Sequence, residues 1–115
     1  MMNMISGISG LAVAELDVQP EPEVVTPGDH TVEVAVVDPD GQPVSDATVI
    51  ARGGSARLDG VETATTDADG VAELELAPEL GANQPDGTVE FDIKPPAGGE
   101  YADKRENTAL LVVSE

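Results

Sequence analysis

The sequence predicts an all-β fold, two antiparallel sheets of about seven short strands packed as a sandwich. Three observations lead there. Apolar residues recur every second position, as in Val32, Val34 and Val36 or Val89, Phe91 and Ile93. Turn-forming clusters of Asp, Gly and Pro separate these runs. No segment carries the 3.6-residue period of an amphipathic helix. The chain has 115 residues, one domain's worth, and 40% of them are hydrophobic, enough for one core.

The elements follow in order. Val13 to Val18 reads as the first strand, with Leu16 and Val18 on one face and Asp17 on the other. Gln19 to Asp29 reads as a Pro-rich connection ending in the turn Thr26-Pro27-Gly28-Asp29. Thr31 to Val37 is the second strand. Ala47 to Arg52 is the third, with Val49 and Ala51 as its buried pair. Leu58 to Thr66 is a weaker fourth. Val71 to Leu76 buries Ala72, Leu74 and Leu76 and exposes Glu73 and Glu75. Thr88 to Lys94 is the sixth strand, stopped by Pro95-Pro96, and Thr108 to Val113 is the last. The expected core is Leu16, Val18, Val32, Val34, Val36, Val49, Leu74, Leu76, Val89, Phe91, Ile93, Leu110 and Val112. In the last strand Leu111 and Val113 compete with Leu110 and Val112 for the inner face. Residues 1–10 read as a flexible leader and 11–114 as the single sandwich domain. The leader holds no Lys or Arg, which a secretory n-region needs. It reads as an entry into the first strand or a cut edge of a longer protein.

Charge removes several function classes. The chain has 23 Asp and Glu against five Lys and Arg, a net charge of −18. Such a surface repels phosphate backbones and anionic lipid. The cations Arg52, Arg57, Lys94, Lys104 and Arg105 read as too scattered for a basic stripe. Nucleic acid is therefore not an expected partner. No run approaches the roughly 18 apolar residues of a membrane helix. With no cysteine there is no disulfide, thiolate ligand or Cys nucleophile. High charge can leave a chain disordered, but here the acids are interleaved with Val, Leu and Ile at strict spacing.

One stretch carries a family resemblance. Val36-Val37-Asp38-Pro39-Asp40-Gly41-Gln42-Pro43-Val44-Ser45-Asp46-Ala47-Thr48-Val49 is followed by Thr65-Thr66-Asp67-Ala68-Asp69-Gly70-Val71-Ala72. This resembles prokaryotic immunoglobulin-like domains of the bacterial Ig-like and carboxypeptidase-regulatory-like type. There a D-x-x-G-x-P-V-x-x-A-x-V hairpin pairs with a later T-D-x-x-G turn. The match spans residues 31–77. It implies an immunoglobulin-like sandwich acting as a structural, spacer or adhesive module of a surface or secreted protein. The acid-rich, Lys-poor composition resembles that of halophilic archaeal proteins. At about 1 M salt the Debye length falls to roughly 3 Å, so mutual repulsion of the carboxylates becomes tolerable.

Candidate sites are few. Asp38, Asp40, Asp67 and Asp69 repeat the spacing D-x-D-G in two turns expected at one end of the sandwich, near Glu100 and Asp103. Ca²⁺ takes six to eight oxygens, many of them carboxylate, so these loops form a candidate calcium site. The plainer reading needs no cofactor: each first Asp caps its own turn and Gly41 and Gly70 supply positive φ. The twelve-residue calcium loop with its terminal Glu is missing. His30 is the lone histidine, and Ser6, Ser9, Ser45, Ser55 and Ser114 have no nucleophile-elbow context. The pairs Glu73/Glu75 and Glu90/Asp92 read as outward charge rows rather than glycosidase acids. Tyr101 alone makes no sugar platform. Lys94 and Lys104 suit no isopeptide crosslink, which needs a buried lysine. The transthyretin-like hydrolases share a similar small sandwich, but their His and Arg sets are missing here. The expectation is a non-enzymatic module, extracellular or at the cell surface with the cytoplasm left open. Its partner is expected to be a protein or neighbouring domain that engages an edge strand.

Overall fold

A computed structural model describes residues 16–99 and 101–114. The leader and the start of the first expected strand lie outside the described residues. Among the described residues eight strands form: β1 (Asp17–Glu21), β2 (Val24–Val25), β3 (His30–Val37), β4 (Thr48–Gly53), β5 (Glu62–Thr65), β6 (Val71–Leu76), β7 (Asp86–Lys94) and β8 (Glu106–Val113). They make a three-stranded sheet ordered β1-β3-β6 and a five-stranded sheet ordered β2-β8-β7-β4-β5. No helix among the described residues is long and apolar enough to cross a membrane.

Period-two patterning sets the inward faces. Val32, Val34 and Val36 of β3 meet Val49 of β4, Val89, Phe91 and Ile93 of β7, and Leu110 and Val112 of β8 in one cluster, all fully buried. Burying each such side chain contributes about 1.5–3 kcal/mol. Every expected core residue joins this cluster, with Val18 only half-buried at its margin. The last strand turns Leu110 and Val112 inward, while Leu111 is exposed. Val25, Val44, Ala47 and Ala56 are further core members.

Three expectations change. The Pro-rich segment is not a plain connection: β1 runs on to Glu21 and β2 follows two residues later. Pro20 extends the inward series of Leu16 and Val18, and β1 is an edge strand, where a missing N–H is tolerated. The sheets are not wholly antiparallel, because β2 pairs parallel with β8, Val24 opposite Leu111 and Val25 opposite Val112. The chain thus changes sheets between β1 and β2. The fourth strand is shorter than expected. Gly60, at a φ of 108°, sits in a loop before β5, and the backbone of Arg57 exchanges two hydrogen bonds with Glu79 instead of joining the ladder.

Candidate functional site: the paired Asp-rich turns

The two D-x-D-G turns are built by the same bonds. Asp38 Oδ1 accepts the N–H groups of Asp40 and Gln42, both at 2.9 Å. Asp67 Oδ1 accepts those of Asp69 at 2.8 Å and Val71 at 3.1 Å. In each turn the glycine N–H donates to the first Asp carbonyl at 2.9 Å. Gly41 and Gly70 have φ of 85° and 75°, a region open to glycine. An Asx-type carboxylate thus closes each loop onto its own backbone.

The turns meet at one end of the sandwich. Val36 uses both of its backbone groups there, its N–H donating to Gly70 O at 2.8 Å and its carbonyl accepting Val44 N–H at 2.9 Å. The segment after the first turn thereby takes over the side of β3 that β6 vacates at Gly70. Thr66 locks the junction. Its buried hydroxyl donates to Val44 O at 2.6 Å and accepts Ala47 N–H at 2.9 Å. Its own N–H donates to Ala47 O, and its carbonyl accepts Asp46 N–H.

Asp40 and Asp69 are exposed. Among the described residues no group of three or more His, Asp or Glu side chains is placed to hold a metal ion. Glu100 lies outside the described residues, and Asp103 is exposed in the β7–β8 loop. Thr66 belongs to the sequence motif, but its pattern alone does not tell its role. The available signal is a Thr just before a turn Asp.

The other candidates are spread apart. His30 Nε2 lies 2.7 Å from Thr26 O and 3.4 Å from Thr26 Oγ1. A carbonyl can only accept, so the single proton on Nε2 goes to Thr26 O. His30 lines a cleft of about 430 Å³ with Asp29, Asp59, Glu62 and Glu75. Ser55 Oγ accepts Thr88 N–H at 2.9 Å, while Ser45 and Ser114 are exposed. Ser6 and Ser9 lie outside the described residues. Glu73, Glu75 and Glu90 are exposed, and Asp92 pairs with Arg52 at 2.8 Å. Lys94 and Lys104 are exposed, and Tyr101 packs half-buried on the core.

The cations are less scattered than the sequence suggests. Arg52, Lys94 and Arg105 line one cleft of about 430 Å³ on the five-stranded sheet. Arg52 and Lys94 are 42 positions apart in sequence and Lys94 and Arg105 are 11 apart, yet β4 and β8 both flank β7 and bring them together. Only the register joins them.

Fold and turns together define an immunoglobulin-like β-sandwich of two sheets, one end of which the paired turns build. The chain belongs to the family described as "Domain of unknown function (DUF7382)", whose model matches residues 11–75. A comparison with curated proteins finds no match. Among solved structures the chain is similar to WR4, a C. elegans MSP family member, at 14% identity and a TM-score of 0.47. That similarity covers 85% of this chain and 97% of the other.

Proposed function

We propose that this chain is a non-enzymatic structural or interaction module, a spacer or adhesion-type domain of a haloarchaeal surface or secreted protein. The observation that carries the reading is the use of the motif residues. Asp38, Asp67 and Thr66 direct their side-chain oxygens at backbone groups, and Gly41 and Gly70 supply the turn conformation. Residues so engaged build a scaffold. The partner is a protein or a neighbouring domain, because the −18 charge opposes phosphate-rich partners. The composition supports a salt-rich setting, in which screening relieves repulsion among exposed carboxylates.

A thermal melt followed by circular dichroism tests this. Stability is expected to rise smoothly from dilute buffer to about 1 M NaCl, where the Debye length is about 3 Å. Millimolar CaCl₂ at matched ionic strength is expected to add nothing. A saturating rise in Tm with Ca²⁺ alone overturns the scaffold reading and makes Asp38, Asp40, Asp67 and Asp69 a binding site.

A further inference from the structure

The two outer faces of the sandwich differ in charge. The three-stranded face carries Asp17, Glu21, Glu33, Glu73 and Glu75 and no Lys or Arg. Glu21 pairs with Glu33 and Glu33 with Glu73, so three carboxylates stand in one row across the sheet. Like charges placed directly opposite each other repel. No ion pair relieves them among the described residues.

The five-stranded face is mixed, with Glu90, the register partner of Arg52, and Asp92 among its outward residues, but its cations gather at one end. Arg52, Lys94 and Arg105 line one cleft there with the carboxylates Asp92 and Glu106. Glu106 pairs with Ile93, which sets Arg105 one rung on, beside Lys94. Arg52 is satisfied by Asp92, whereas Lys94 and Arg105 have no ion pair among the described residues. In a chain with 23 carboxylates and five cations, two adjacent unpaired cations are the reverse of what neutralising the surface requires. The same sheet exposes Val24 and Leu111, register partners, as an apolar margin.

We propose that the acidic outer face of the three-stranded sheet docks on the Lys94–Arg105 end of the five-stranded sheet of a second copy of this chain. The inference deepens the interaction-module reading and rests on it. The occupant follows from charge complementarity, since each copy presents both an uncompensated carboxylate row and an uncompensated cation pair. The two surfaces differ, so the contact is heterologous and copies stack head to tail. At low salt the −18 charge on each copy keeps them apart. At about 1 M salt long-range repulsion is screened and only pairs in contact still attract.

Sedimentation in about 1 M NaCl at up to about 1 mM protein, a range in which weak contacts populate pairs, tests it. The wild type is expected to gain mass with concentration. Lys94→Gln with Arg105→Gln, and separately Glu33→Gln with Glu73→Gln, are expected to be folded by circular dichroism and monomeric. Mixed, these two variants are expected to form a 1:1 pair and nothing larger, because each keeps one working face. A wild type that stays monomeric overturns the face pairing, as does assembly that persists in either variant. Neither result touches the scaffold reading, which the calcium melt decides.

Discussion

The two D-x-D-G turns match in local hydrogen bonding and differ in what surrounds them. A Cβ on Gly41 would meet nothing within 4 Å. A Cβ on Gly70 would lie 2.7 Å from Val36 O, 2.9 Å from Pro43 Cβ and 3.0 Å from Val44 N. The first turn needs glycine for its dihedral alone. The second needs it also because three backbone segments converge there. A short motif therefore fixes a turn's shape, whereas the fold around it decides how much that turn matters.

Substitutions at the two turns differ in their expected effect, and Gly70 carries the largest. Gly70→Ala combines a left-handed backbone with a clash against main-chain atoms that have little room to move. It is expected to cost about 3–5 kcal/mol by urea unfolding. Thr66→Val keeps the volume but strands Val44 O and Ala47 N–H in the core. The expected loss is about 2–4 kcal/mol, and Thr66→Ser should recover most of it. Asp38→Ala and Asp67→Ala each delete two exposed bonds to the backbone. Each is expected to cost about 1 kcal/mol, offset in dilute buffer by the lower net charge. Arg52→Gln breaks an ion pair whose side chains are 51% and 33% exposed, so the change should stay within about 1 kcal/mol. If Asp67→Ala proves far costlier than Asp38→Ala, the carboxylates carry more than their local bonds.

Sequence and structure agree where information is local. Strict alternation in β3, β6 and β7 names the buried face residue by residue, and Val32, Leu74 and Phe91 are where it puts them. The turn carboxylates are equally legible, because an Asx-type bond spans only two to four residues. Features that depend on which strands meet are not. Nothing in the pair Val24-Val25 tells that it will lie parallel to Leu111-Val112. Pro20 and Pro22 mask the strand around them. Arg52, Lys94 and Arg105 converge only through the β4–β7–β8 register. Thr66 reads as a strand-end residue until the Val44–Ala47 segment is laid against it.

Of the two like turns, the one at Gly70 is a junction and the one at Gly41 borders open space. Urea unfolding of Gly41→Ala beside Gly70→Ala, in the same buffer of about 1 M NaCl, tests this difference most directly. Gly41→Ala is expected to cost only about 1–2 kcal/mol, the dihedral penalty, so Gly70→Ala should exceed it by about 1–4 kcal/mol. Equal losses at the two positions would contradict the account, because the convergence of Val36, Pro43 and Val44 on Gly70 would then carry no energy of its own.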